Sequence, residues 1–164
     1  MPIIISDASP LHYLVLIAAE EVLPALYGEV LIPQAVAEEL WRAQTPAGVS
    51  TWLSHPPAWL NVVPPMAEGI SNLALAVLGR GEREAIALAI HRRADLVLMD
   101  DREGVDVARR FGLTVTGTLG VLERAAERGL IDLPETVSRL QATDFRAAPH
   151  VIRALLERDA GRKK

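Results

Sequence analysis

Cysteine is absent from the 164 residues. Its absence excludes disulfide bonds, a thiolate nucleophile and metal sites built on cysteine. Long apolar runs are missing too, since no stretch reaches the roughly 20 apolar residues that span a bilayer. The opening MPIIISDASP carries no basic residue, and its apolar run is too short for a secretion signal. We therefore expect a single domain over residues 1–164, located in the cytoplasm.

Lysine is nearly absent as well. It occurs only at Lys163 and Lys164, so almost every basic residue is an arginine. The chain has 21 acidic against 17 basic residues and a net charge of −4. A globally acidic chain is not an obvious nucleic-acid binder. Any contact with phosphate would depend on local positive charge, for which arginine is better suited than lysine.

Short apolar runs alternate with amphipathic segments over the first 130 residues. The runs predict strands at 3–6, 29–32, 60–63, 95–99 and 113–116. The segments between and after them predict helices at 10–17, 34–43, 46–54, 68–78, 82–94, 102–111, 118–128, 134–142 and 149–159. Ser9 and Thr45 have the character of helix N-caps, and Gly79-Arg80-Gly81 is expected to interrupt a helix. This alternation predicts an α/β protein with a parallel sheet of about five strands, helices on both faces, and C-terminal helices over about 131–160.

Acidic residues follow two of the predicted strands. Asp7 comes after the first strand, and Asp100 and Asp101 come after the fourth. Ligands of open α/β sheets bind outside the carboxyl ends of the strands. A single aspartate at this place is often only a helix N-cap. Two strands that both end in acid favour a cation site, because neighbouring carboxylates repel each other unless a cation is present.

Two predicted helices add glutamates. Glu38 and Glu39 are adjacent and point about 100° apart, so at most one of them faces a common site. Glu82 and Glu84 lie in the first turn of a helix, where acids also stabilise the helix dipole. Together these acids form an oxygen-rich set without histidine or cysteine, which selects Mg²⁺ or Mn²⁺. Such clusters serve the hydrolysis of phosphodiesters.

Other site classes lack their motifs. The sequence contains no phosphate-binding G-x-x-x-x-G-K-[ST] loop, no G-x-S-x-G segment and no H-E-x-x-H pair. A phosphoacceptor receiver domain requires a lysine at the end of its last strand, and the segment TVTGT has none. A D-x-D phosphatase is excluded by the sequence Asp7-Ala8-Ser9.

Four segments, in order, resemble the motifs of the PIN-domain (PilT N-terminus-like) family. They are IIISDASPL, LIPQAVAEEL, GRGEREAIALA and DLVLMDDREGVDVARRFGLTVTGTLGVL. The later run GLIDLPETVSRLQATDFRAAPHVIRALL is similar to the C-terminal helices of a prokaryotic PIN subfamily related to VapC-type toxin ribonucleases. The resemblance covers nearly the whole chain. Each motif is short, but four in the same order with matching element types are fairly specific.

The resemblance implies a Rossmann-like, three-layer α/β/α fold with about 1–130 as its core. It implies a metal-dependent endoribonuclease, in which water activated by Mg²⁺ or Mn²⁺ hydrolyses a phosphodiester bond of RNA. It also implies a homodimer and a small antitoxin protein as a partner. In the register of the motifs, the catalytic metal ligands are Asp7, Glu39, Glu84 and Asp100.

Further residues are expected around these four. Glu82 and Asp101 would add ligands for the same or a second ion, Ser9 would orient a ligand or water, and Thr118 would line the site. The arginines expected at the mouth of the cleft, to bind RNA, are Arg80, Arg83 and Arg102.

An alternative hypothesis is that the protein is a PIN-fold nucleic-acid-binding or regulatory module with weak or no nuclease activity. Two departures from the family's pattern favour it. Glutamates stand in the third motif where toxin-type members usually have aspartate, and Leu98-Met99 stands where Thr or Ser is common before the fourth acid.

Overall fold

The computed structural model describes residues 2–42, 46–66 and 72–163. Its strands form one parallel sheet and are β1 (Ile4–Ser6), β2 (Val30–Pro33), β3 (Leu60–Val63), β4 (Leu96–Leu98) and β5 (Val115–Thr116). Their spatial order is β3-β2-β1-β4-β5, which places β1 at the centre with β4 beside it. The predicted α/β class with a five-stranded parallel sheet is confirmed.

Helices connect the strands and continue after the last one. They are α1 (Ala8–Leu16), α2 (Val22–Tyr27), α3 (Gln34–Trp41), α4 (Ala47–Ser54), α5 (Leu73–Ala76), α6 (Arg80–Arg92), α7 (Arg102–Arg110), α8 (Thr118–Glu127), α9 (Leu133–Gln141) and α10 (Pro149–Lys163). Within the described ranges, no helix combines the length and the apolar character that crossing a membrane requires.

An apolar core lies on each face of the sheet, because successive residues of a strand point to opposite faces. Ile4 of β1 belongs to the core formed with α1, α3 and α8, and Ile5 to the core formed with α6 and α7. The C-terminal helices share the first of these cores through Leu140 of α9 and Leu155 of α10. The loop between α9 and α10 is therefore held on the same side of the sheet as α1.

Helix α1 begins earlier than the sequence predicts. Asp7, with extended backbone angles, occupies its N-cap position, so Ser9 lies in the first turn and is not the cap. The reason is that β1 ends at Ser6 and the chain enters the helix directly, without the expected turn. Because Ser9 is not needed as a cap, its hydroxyl is available to a neighbouring strand end.

The segment around Gly79-Arg80-Gly81 also differs from its prediction. Helix α6 begins at Arg80 and includes Gly81, so the glycines do not separate it from a helix starting at 82. The preceding helix is only the short α5 in the described residues. Thr45 and residues 67–71, on which an N-cap and part of the helix at 68–78 were predicted, lie outside the described residues. Helix α2 was not predicted at all.

Candidate functional site

The topology brings two of the candidate aspartates together. Strands β1 and β4 are neighbours at the centre of the sheet, with Ser6 paired to Leu98. The backbone N–H of Asp7 donates a 2.8 Å hydrogen bond to the carbonyl oxygen of Leu98. Asp7 and Asp100 therefore leave adjacent strands at the same edge, although they are far apart in sequence.

A cleft of about 690 Å³ opens at this edge of the sheet. Helices α1, α3 and α6, the segment between β4 and α7, and the loop between α9 and α10 contribute to its walls. The carboxylates among its lining residues are Asp7, Glu39, Glu82, Asp100, Asp101 and Asp144. Six acidic groups in one cleft create a strongly negative site that attracts cations.

Asp7 is the most deeply buried acid of the cleft, with 4% of its surface exposed. Burial, as the largest cause, and the nearby carboxylates of Glu82, Glu39 and Asp100 together raise the pKa of Asp7 to about 7. Its Oδ1 atom has no hydrogen-bond partner among the described residues. A buried, unpaired carboxylate oxygen is costly unless a proton or a cation compensates it.

Asp100 is, by contrast, held by hydrogen bonds from two residues. The Thr118 backbone N–H donates to Oδ1 over 2.7 Å, and the Thr118 hydroxyl donates to Oδ2 over 2.6 Å. The Ser9 hydroxyl donates to the same Oδ2 over 2.7 Å. These contacts fix the orientation of the carboxylate, while each of its oxygens keeps acceptor capacity for a further ligand.

Glu39 reaches the cleft from α3. Burial raises its pKa, the Glu82 carboxylate raises it further, and the Arg42 guanidinium opposes both. Its carboxylate lies against the first turn of α6, where a Cβ at Gly81 would overlap it. Glycine at 81 therefore allows this close approach of Glu39, although glycine inside a helix is otherwise unfavourable.

The structure separates the two members of each glutamate pair. Glu39 lines the cleft, whereas Glu38 lies outside it in a 2.7 Å salt bridge with Arg80. Glu82 lines the cleft, whereas Glu84 lines a separate small pocket with Met66. The expected placement of Glu84 in the common site is thus not observed. Residues two apart on a helix point about 200° from each other, so one faces the cleft and the other faces away.

Asp101 both lines the cleft and caps a helix. It lines the cleft, and its side chain also caps α7 by accepting a 2.9 Å hydrogen bond from the backbone N–H of Gly104. The simple N-cap interpretation of an acid after a strand thus describes Asp101, while Asp100 beside it faces the hydroxyl groups of Ser9 and Thr118.

The arginines expected at the cleft mouth lie elsewhere. Arg80 is paired with Glu38, and Arg83 lines the small pocket of Glu84. Arg102 is exposed at the start of α7 and is not among the described residues that line the cleft. The cleft instead receives its positive charge, within the described part of the chain, from Arg42 and Arg146.

Sequence reasoning also missed the loop residues Asp144 and Phe145 beside Arg146, and Tyr13 of α1, which they contact. The only signal was an aromatic residue next to an arginine in the loop TDFRAAP. Its proximity to the cleft follows from the packing of α9 and α10, which the sequence pattern does not specify.

The residues of the cleft fit a divalent cation in their chemistry. All the candidate donors are oxygen atoms, which suits Mg²⁺ or Mn²⁺, and the unpaired Oδ1 of Asp7 lacks a partner that a cation would supply. Across residues 2–42, 46–66 and 72–163, no three Asp, Glu or His side chains are grouped tightly enough to hold an ion as placed. Binding would therefore require the carboxylates to draw together.

A five-stranded parallel sheet with acids at the ends of its central strands agrees with the Rossmann-like architecture that the PIN resemblance implies. A family model described as DUF3368, PIN domain, matches residues 3–160. The chain therefore belongs to the DUF3368 PIN-domain family, and the resemblance is confirmed. PIN domains have a nuclease-type fold and generally use divalent metal ions.

A solved structure with a similar fold is a PilT N-terminus domain protein, SSO1118, from the hyperthermophilic archaeon Sulfolobus solfataricus P2. The superposition has a TM-score of 0.51 at 12% sequence identity and covers 89% of this chain and 98% of that chain. At this identity the likeness shows the fold alone. No curated protein sequence matches this chain.

Proposed function

We propose that this protein is a metal-dependent endoribonuclease that hydrolyses phosphodiester bonds of RNA. The observation that carries the proposal is the buried, unpaired Oδ1 of Asp7 at the base of a cleft lined by six carboxylates. Asp100 and Asp101 each accept a hydrogen bond, whereas this oxygen has no donor among the described residues and is left for a cation.

The residues proposed to hold Mg²⁺ or Mn²⁺ are Asp7, Glu39, Glu82 and Asp100, with Asp101 at the margin. Glu82 takes the place that the sequence motif assigned to Glu84. When bound, the ion would stabilise negative charge on the phosphate and lower the pKa of a water molecule.

The chain's own side chains prepare this site in two ways. Ser9 and Thr118 hold the Asp100 carboxylate in one orientation, which limits the reorganisation that ligand binding requires. Asp7, with a pKa of about 7, is partly protonated near neutral pH when no cation is near, and a bound cation would favour the loss of that proton. Metal affinity should consequently increase with pH through this range.

RNA is the proposed substrate, and a homodimer and a small antitoxin protein are the proposed partners, as the VapC-like resemblance implied. The alternative function is a PIN-fold nucleic-acid-binding or regulatory module. One observation favours this alternative: the described residues contain no three carboxylates grouped tightly enough to hold an ion without rearrangement.

Cleavage of a labelled RNA by the purified protein tests the proposal, with Mn²⁺, with Mg²⁺ and with EDTA. Asp100→Asn is compared with Asp106→Asn, because Asp106 is an exposed aspartate of α7 outside the cleft lining. We expect cleavage that EDTA abolishes, that Asp100→Asn lowers by several orders of magnitude, and that Asp106→Asn leaves unchanged. Equal cleavage by all proteins would identify a contaminant. RNA binding without cleavage in any metal would favour the binding module.

A further inference from the structure

The loop between α9 and α10 forms one wall of the acidic cleft. Its residues Asp144, Phe145 and Arg146 line the cleft, and so do His12 and Tyr13 of α1. This wall therefore brings aromatic rings and a guanidinium group to a site whose other described walls are mainly acidic. The difference in chemistry indicates a task other than metal binding.

The wall is held to α1 by specific contacts. The Tyr13 hydroxyl donates a 2.9 Å hydrogen bond to Oδ1 of Asp144. Burial and the Asp144 carboxylate raise the pKa of Tyr13 to about 12, so the hydroxyl keeps its proton and remains a donor. The Phe145 ring packs edge-to-face on the Tyr13 ring, with centroids 5.0 Å apart, and His12 contacts the same ring at 4.8 Å.

Several exposed arginines of the described residues, Arg153 among them, form no salt bridge, and Arg146 differs from Arg153 because it lines the cleft. Arg80 and Arg158 form salt bridges with Glu38 and Glu123. Arg146 is exposed and forms no hydrogen bond or salt bridge with any residue that the structure describes. An arginine without a carboxylate partner, at an acidic cleft, has all its donors available for an anion brought by a ligand.

We propose that Asp144–Arg146 is the substrate-positioning wall of the cleft, where Arg146 binds a phosphate next to the cleaved one and the rings of His12 and Phe145 contact a nucleobase. The inference rests on the proposed function, since it concerns the same site. Base stacking is independent of charge, so it supplies affinity that a net acidic cleft cannot supply through phosphate contacts alone. The bases of a duplex are already stacked, so the wall selects an unpaired segment.

Binding of a fluorescein-labelled single-stranded RNA, measured by anisotropy in EDTA over a range of salt concentrations, tests the wall. Arg146→Ala is compared with Arg153→Ala, which removes the same charge from an exposed site on α10. We expect Arg146→Ala to weaken binding about tenfold and to reduce the slope of log K against log salt by about 0.7. Arg146→Lys should restore the slope, and Arg153→Ala should leave affinity and slope unchanged.

Substitutions of Phe145 test the proposed contact between the aromatic rings and a nucleobase. Phe145→Ala should weaken binding about fivefold or more without changing the salt slope, because it removes stacking and no charge. Phe145→Leu keeps an apolar contact with Tyr13, so it separates loss of stacking from loss of folding, and it should weaken binding similarly. Equal affinity of the parent for a duplex of the same sequence would overturn the nucleobase contact.

Cleavage kinetics distinguish this inference from the proposed function. Arg146→Ala should raise KM and change kcat little, whereas Asp100→Asn should lower kcat. If the parent cleaves RNA but Arg146→Ala has the same affinity and KM as Arg153→Ala, the substrate-positioning role of the wall is refuted and the nuclease proposal is kept. If the parent binds single strands through Arg146 and Phe145 without cleaving them, the positioning role of the wall is supported and the nuclease proposal is refuted. A parent that neither binds nor cleaves RNA overturns both.

Discussion

Gly81 and the Glu39 carboxylate share a space in which a Cβ on residue 81 would not fit. Gly81 lies in α6, and Glu39 reaches it from α3. The same glycine that lowers the helix propensity of α6 thus allows an acid from another helix to enter the cleft.

Gly81→Ala should therefore displace Glu39 or shift α6. We expect little loss in the free energy of unfolding, because the Glu39 carboxylate is the end of a flexible side chain and alanine favours the helix, but a smaller Mn²⁺-induced rise in Tm. Gly161→Ala is the matched control, because Gly161 lies in α10 with nothing near its Cβ position. Thermal melts with and without Mn²⁺ measure both effects, and equal behaviour of the two variants would contradict the packing argument.

The raised pKa of Asp7 predicts that the metal-free protein loses stability as pH rises. The unfolded carboxyl group ionises near 3.8 and the folded one near 7, so the folded state binds more protons between these values. The free energy of unfolding should fall across that window, by at most about 4 kcal/mol for a shift of this size. Asp7→Asn should reduce the slope, to which the raised pKa of Glu39 also contributes, and should stabilise the protein near neutral pH.

Urea denaturation in EDTA at a series of pH values measures this dependence. Asp106→Asn serves as the control, since an exposed aspartate should leave the slope of the parent unchanged. Equal pH dependence of the parent and Asp7→Asn between about pH 4 and pH 7 would refute a raised pKa at Asp7.

The hydrogen bond from the Thr118 hydroxyl to Asp100 predicts that substitution of Thr118 lowers activity. Thr118→Val removes the 2.6 Å hydroxyl bond to Asp100 and keeps the backbone bond and the side-chain volume. A residue that orients a metal ligand typically contributes about ten- to hundredfold to activity or metal affinity, and we expect a loss in that range. Thr136→Val is the control: Thr136 is equally buried but bonds the Asp132 carbonyl oxygen in α9. Unchanged cleavage by Thr118→Val would show that the backbone bond suffices.

Exposed apolar side chains on α5 and just after it predict an interface. Leu73 is 89% and Val77 67% exposed, and they lie one helical turn apart. We expect the protein to be a homodimer by light scattering and the double variant Leu73→Glu, Val77→Glu to be monomeric, because it places charge in the contact. Leu130→Glu, at an exposed leucine after α8, is the control and should remain dimeric. A monomeric parent at micromolar concentration would count against the dimer.

The fold was predictable because its strands are short, apolar and separated by amphipathic segments. The runs at 3–6 and 95–99 contain enough apolar residues to mark buried parallel strands without any tertiary information. The start of α1 was not predictable, because Asp7 and Ser9 are both good N-caps and only the position of the strand end decides between them.

The candidate site was predictable to the level of the segment but not always of the residue. Asp7 and Asp100 follow strands, so the sheet itself places them. Glu82 and Glu84 share one helix, and which of them faces the cleft depends on the rotation of α6 against α3, which contact each other at Gly81 and Glu39. Arg146 reaches the cleft because the C-terminal helices pack beside α1. This packing joins residues far apart in sequence, so no local sequence pattern predicts it.

Glu82 and Glu84 offer a direct comparison between the motif and the structure. The register of the family motif favours Glu84, whereas the structure places Glu82 in the cleft and Glu84 in the separate pocket near Arg80. Both variants, Glu82→Gln and Glu84→Gln, remove one charge from the first turns of α6 and keep the side-chain volume. Any effect on helix stability should therefore be similar, and a difference in activity reports the site.

We expect Glu82→Gln to lower Mn²⁺-dependent cleavage by about two orders of magnitude or more, because it removes charge that would stabilise the ion. It should also reduce the Tm rise with Mn²⁺, while Glu84→Gln should retain both within about threefold, since its 3.8 Å contact with Arg80 is partly exposed and weak. RNA cleavage and thermal melts over a Mn²⁺ titration measure the two variants side by side. The reverse order of effects would assign the ligand to Glu84 and would require α6 to rotate when metal binds.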